Sequence, residues 1–168
     1  LRYLGNSDLI LTYDLNKHYN KKNIRRINHL FSEKFKVNIN IGHNNVYNLP
    51  EEIKYFPGTN IGNATLPKAD IVFSRFVLEH IPPEEIIKIH KNINTYLTSG
   101  SLIFHFIAPS DNQAYDDKNL TLQNVLKYSK EEWKNIHTRF DYHNRLRLPQ
   151  YIEMFEDLNY EIIHLEHN

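Results

Sequence analysis

Apolar and polar residues fall in blocks along the chain, and the period changes from block to block. Leu9-Ile10-Leu11-Thr12-Tyr13 is an apolar run of strand length, broken by Asp14-Leu15-Asn16. From Asn23 to Phe35 the apolar positions Ile24, Ile27, Leu30 and Phe31 recur at helical spacing, with Lys and Arg on the other side. Val37 to Ile41 alternates like a strand. Pro50-Glu51-Glu52 predicts a helix start, with proline in the first turn and acids at the positive end of the helix dipole. Pro57-Gly58 predicts a turn, and Asn60 to Ala64 a short strand with its exit.

The second half is easier to read. Asp70 to Phe73 predicts a buried strand inside the run Ala69 to Ile81. Pro82 to Leu97 predicts a helix opened by two prolines and two acids, with Ile86, Ile89, Ile93 and Leu97 as its apolar stripe; Ser99-Gly100-Ser101 stops it. Ser101 to Ala108 is the most strand-like run and ends at Pro109. A polar connection covers 110–128. Lys130 to Thr138 predicts a helix around Trp133. Pro149 to Leu158 predicts another, with Tyr151, Ile152, Phe155 and Leu158 inward and Asn159 as its C-cap. Tyr160 to Leu165 predicts a last strand. Such alternation means an α/β fold, a Rossmann-like, mostly parallel sheet with helices on both faces, in a single domain over 1–168.

Composition narrows the function classes. The chain has 168 residues, enough for one sizeable core. Lys plus Arg and Asp plus Glu are 20 each, so no net field draws the chain to nucleic acid or anionic lipid. Cysteine is absent, which excludes disulfides and thiolate metal sites. No apolar run approaches the roughly 20 residues of a membrane span, and a cytoplasmic location is the default expectation. Ten histidines are present, yet none form a close helix-compatible pair such as H-E-x-x-H, so no metal site is expected.

Candidate chemistry sits at the ends of the predicted strands, where open α/β sheets bind ligands. Asp14 closes the first strand; it can accept from ribose hydroxyls or serve as a turn residue. The turn Gly62-Asn63-Ala64-Thr65-Leu66-Pro67 can flank an adenine or be an ordinary turn. Ser74 and Arg75 end the next strand, and Glu79 and His80 beyond them can do acid–base work; His80 can equally be a helix-adjacent structural histidine. His105 is the one polar ring in an apolar strand, either satisfied in the core or facing a substrate. In Tyr142-His143-Asn144-Arg145-Leu146-Arg147 the arginines can fork a carboxylate or phosphate, or pin a loop. The Lys17–Arg26 cluster reads as a solvated helix face or a phosphate-binding patch.

Several of these segments together resemble the class I S-adenosylmethionine-dependent methyltransferases. D-I-V-F-S-R-F-V-L-E-H-I at 70–81 is similar to their fourth strand and following helix, and Tyr96 to Leu102 to the turn entering their fifth strand. L-I-L-T-Y-D-L-N at 9–16 is similar to their second strand with its ribose-binding acid, and I-G-N-A-T-L-P at 61–67 to their adenine loop. The segments 126–133, 142–147 and 151–162 resemble a bacterial subgroup linked to sugar or cell-surface glycan modification. The resemblance implies S-adenosyl-L-methionine as cofactor and a small-molecule methyl acceptor. It assigns Asp14 and Leu15 to the ribose, Asn63 and Ala64 to adenine, and Ser74 and Arg75 to the methionine side. His105 or His80 would be the catalytic base, and Asn144 and Arg145 would bind the acceptor. The chain departs from the family in three places. The glycine-rich loop after the first strand is missing, Asn63 replaces an acid, and Ser99-Gly100-Ser101 replaces a double glycine. The resemblance therefore predicts an N-terminally truncated domain in which the strands ending at Asp14 and Phe73 lack a central neighbour. The competing reading is a non-catalytic interaction domain of the same fold without a cofactor loop.

Overall fold

Two pairs of parallel strands organise the chain, each within its own compact unit, Leu1–Ala64 and Thr65–Asn168. The structure, a computed structural model, describes residues 7–39, 41, 46–111, 113–136 and 142–167.

In the first unit, strand β1 (Ile10–Asp14) leads to helix α1 (Lys21–Phe35) and returns through strand β2 (Ile53–Pro57), which pairs with β1 in parallel, Ile10 beside Ile53 and Asp14 beside Pro57. The side chain of Asn20 opens α1 by accepting from the amides of Lys22 and Asn23. Tyr55 fixes the connection after β1: its hydroxyl donates to the Asn16 carbonyl and accepts from the His18 amide, and its ring stacks on Tyr19.

Three expectations fail in this unit. Glu51-Glu52 is a turn into β2 and not a helix start, because Ile53 to Pro57 alternates half-buried and exposed positions, includes Ile53, Tyr55 and Phe56 that favour strands, and finds β1 as a partner. Residues 37–39 have no regular structure, Asn40 lies outside the described residues, and Ile41 makes a single bridge with Pro50. Asn60 to Ala64 is a turn and not a strand, since the Asn60 side chain accepts from the Gly62 amide and its carbonyl from Asn63.

In the second unit, strand β3 (Ala69–Arg75), the 3₁₀ turn Leu78–His80, helix α2 (Pro83–Asn94) and strand β4 (Leu97–Phe106) form a βαβ unit with a parallel pair. The expected helix stop lies inside β4. Ala69 pairs with Leu97 but Ile71 pairs with Leu102, so β4 carries extra residues there, and Gly100 supplies the left-handed φ of 76° they need. Helices α3 (Gln113–Asp116), α4 (Lys130–Ile136) and α5 (Leu148–Asp157) follow; residues 137–141, where α4 was expected to end, lie outside the described ones.

The core packs Leu78, Ile86 and Tyr151 together, with Ile81, Ile107, Leu146, Met154 and Phe155 around them. Val72, Ser74, Ile103 and His105 are among the half-buried positions of β3 and β4. The alternate side chains of the same strands, Ile71, Phe73, Leu102, Phe104 and Phe106, are exposed. Asn159 ends α5 with φ 63°, as expected of a C-cap, and the Tyr160 amide closes back on the Phe155 carbonyl. The strand expected at 160–165 does not form: a strand needs a hydrogen-bonded neighbour, and this run has none among the described residues. The architecture is α/β with two small parallel sheets. Among the described residues no helix is long and apolar enough to cross a membrane.

Candidate active site

Polar side chains converge where β3 and β4 end in the second unit. Phe76 takes a left-handed φ of 55° and its amide donates to the Phe106 carbonyl, so the chain leaves β3 sharply. That turn buries Leu78 and Glu79 and leaves His80 exposed. Glu79 is 1% exposed; Oε1 accepts from the Ala108 amide at 3.3 Å and Oε2 has no partner among the described residues. Nδ1 of His80 lies 2.8 Å from the Tyr142 carbonyl. A carbonyl only accepts, so Nδ1 carries the proton and Nε2 of the neutral ring is a bare lone pair.

His143 stands edge-on to His80, with ring centres 6.2 Å apart. It is 4% exposed, and its Nδ1 accepts from the Arg145 amide at 2.9 Å, which puts the proton of the neutral ring on Nε2. Burial, then His80, holds it below the usual histidine range against the opposite pull of the Ala108 backbone and Asp111. Asp111 is itself buried, and its two oxygens accept from the Gln113 amide and the Asn124 side chain.

Asn144 and Arg145 build the wall of this cluster. The Asn144 amide donates to the Glu79 carbonyl, and its Nδ2 to the carbonyls of Leu78 and Ile81 at 2.8 and 2.9 Å. Its Oδ1 accepts from the Leu146 amide and the Tyr151 hydroxyl, so both polar ends of the side chain are used within the protein. Arg145 has φ 61°, donates to the carbonyls of Tyr128 and Val125, and covers the Trp133 ring.

The remaining expected residues of this unit lie elsewhere on the sheet. His105 points under the helices: Nδ1 contacts the Ser74 hydroxyl at 2.7 Å, the ring stacks on Phe155, and His90 meets it edge-on at 5.0 Å. Burial, then His90, pushes its pKa down to about 3, which makes it a weak proton acceptor. Ser74 spends its hydroxyl on that ring, and exposed Arg75 lies over Phe76. Neither faces the cluster around Glu79 in any contact described.

In the first unit the ends of β1 and β2 meet. The Asp14 carbonyl accepts from the Thr59 amide, which ties the loop after β2 to the end of β1. The Asp14 carboxylate accepts from the Asn16 amide at 2.9 Å through Oδ1, which also lies 3.6 Å from His18. Its other oxygen has no partner among the described residues. Leu15 is exposed, Asn63 is exposed and Ala64 is half-buried. No group of three or more His, Asp or Glu able to hold a metal occurs among the described residues.

Sequence reasoning passed over His90, took His143 only as part of the 142–147 loop, and read Tyr151 only as an inward position of its helix. For His90 the signal was present: it shares the inward stripe with Ile86 and Ile93 at helical spacing. What joins the other two to the Leu78–His80 turn, His143 beside His80 and Tyr151 through Asn144, is set by the fold and leaves no local mark. No protein-family model matches the chain, and comparison with curated proteins finds no match either.

Proposed function

We propose that the chain is a class I S-adenosylmethionine-dependent methyltransferase domain acting on a small-molecule acceptor. Its support is the resemblance of the ordered segments, together with one structural observation. The segments that resemble the family's binding turns follow the carboxyl ends of parallel strands, Asp14 closing β1 beside the loop after β2, and the Ser74–His80 segment leaving β3. The unpartnered Asp14 oxygen suits a ribose hydroxyl, and Leu15, Asn63 and Ala64 supply the apolar and amide surface for a nucleoside.

The cofactor supplies a methyl group on a positively charged sulfur, so the protein mainly orients the acceptor and removes its proton. His80 is the better placed of the two expected bases, because its Nε2 lone pair sits on an exposed ring while the half-buried His105 is packed among aromatics.

A second reading, a non-catalytic interaction domain, is favoured by the exposed apolar row Ile71, Phe73, Leu102, Phe104 and Phe106. Calorimetry of the full-length protein with S-adenosylhomocysteine separates the two. The enzyme reading expects binding that Asp14→Ala weakens by about tenfold or more, the scale of a hydrogen bond to a charged group. Absence of binding by the unsubstituted protein refutes it.

A further inference from the structure

We propose that Asn144 is a positioning residue that holds His80 in one tautomer, with its Nε2 lone pair outward as a proton acceptor; the chemical use of that acceptor rests on the methyl-transfer reading above. The Leu78–His80 turn is a single 3₁₀ turn without a side-chain cap, a weak element by itself. Asn144 reaches it with three donors, to the carbonyls of Leu78, Glu79 and Ile81, on both sides of His80. Two residues before Asn144, the Tyr142 carbonyl meets His80 Nδ1. The clamp and the tautomer-setting contact are therefore parts of one short segment.

The contact works against intrinsic preference, since free neutral histidine favours the proton on Nε2. His143, next in sequence to both, is held in that opposite tautomer by the Arg145 amide. The two neighbouring rings thus differ in chemistry. His143 is a buried donor, and His80 is an exposed acceptor. In the methyl-transfer reading, His80 Nε2 takes the acceptor's proton while the acceptor's lone pair bonds the methyl carbon. The electron pair of the broken carbon–sulfur bond stays on sulfur.

Long-range proton–nitrogen NMR correlations of the imidazole rings test this on the full-length protein, well above the ordinary histidine titration range. The unsubstituted protein should show His80 as the Nδ1–H form. Asn144→Asp keeps the oxygen used by Leu146 and Tyr151 but loses both side-chain donors. It should move His80 towards the Nε2–H form while the His90 and His105 signals stay in place. Asn144→Ala serves as the second variant if the aspartate unfolds the chain, as read by circular dichroism. Carbethoxylation of His80 by diethylpyrocarbonate, followed by peptide mass spectrometry, should slow several-fold in the variants. A native His80 in the Nε2–H form, or one unchanged in tautomer and reactivity in a folded variant, overturns the proposal. S-adenosylhomocysteine calorimetry on the same samples reports separately on the methyltransferase reading, because its result does not depend on the His80 tautomer.

Discussion

Acid should unfold the second unit early, through His90 and His105. Burial pushes the His90 pKa down to about 4, and burial with His90 as neighbour pushes His105 down to about 3. Nδ1 of each ring meets a hydroxyl, of Tyr160 and Ser74, and neither Nε2 has a partner among the described residues, so no group there compensates a charge. The unfolded chain binds a proton on each ring below about pH 6.5, and the folded chain refuses it until the lower values are reached. Stability is therefore full above about pH 6.5 and falls as pH drops. Each ring loses ~1.4 kcal/mol per pH unit, which is ~2 kcal/mol per ring and ~4 kcal/mol for the pair by about pH 5. That is a large share of a typical domain stability of about 5–15 kcal/mol. His143 acts in the same direction, whereas Glu132, held low by its bonds to Ser129, matters only in the carboxylate range. Urea titrations at about pH 7, 6 and 5, followed by fluorescence of Trp133, the single tryptophan, should show this loss. The double variant His90→Asn/His105→Asn should show much less of it. An equal loss in both proteins would refute the reasoning.

Two further stability predictions use the same assay. Ile86→Ala removes a side chain with 0% exposure and should cost about 3 kcal/mol, whereas Phe104→Ala, 44% exposed, should cost less than ~1 kcal/mol; similar costs would show that Phe104 is covered in solution. Gly100→Ala meets no atom within 4 Å, so its cost is conformational alone, about 1–2 kcal/mol from the left-handed φ; a neutral or stabilising result would mean that the β4 bulge relaxes.

Much of the second unit was legible. Ala69 to Arg75, Pro83 to Asn94 and Leu148 to Asp157 are long, strongly periodic runs, and their strand or helix character follows from local pattern. Asn159 was readable as a cap because few residues accept a left-handed φ. The first unit was harder. Pro50-Glu51-Glu52 carries real helix-start chemistry, but the pairing of Ile53–Pro57 with β1 outweighs it, and pairing with a strand about 40 residues away leaves no local mark. Gly100 was recognised as a breaker, although what it breaks is the register of a strand.

The candidate site divides in the same way. Sequence alone placed the candidate chemistry at strand ends, since Asp14, Ser74-Arg75 and His80 each follow an apolar run that must stop there. It also determined the α/β class, because hydrophobic period is a local property. Tertiary structure alone decided what each ring does. His80 and His105 are both histidines near strand ends, yet one lies on an exposed turn under the Tyr142 carbonyl and the other beneath Phe155 beside His90. Asn144 became a clamp and not a free amide only because the loop before α5 folds onto the Leu78–His80 turn. Protonation state and tautomer depend on burial and on hydrogen-bond partners more than 60 residues away in sequence, and no local pattern encodes those contacts.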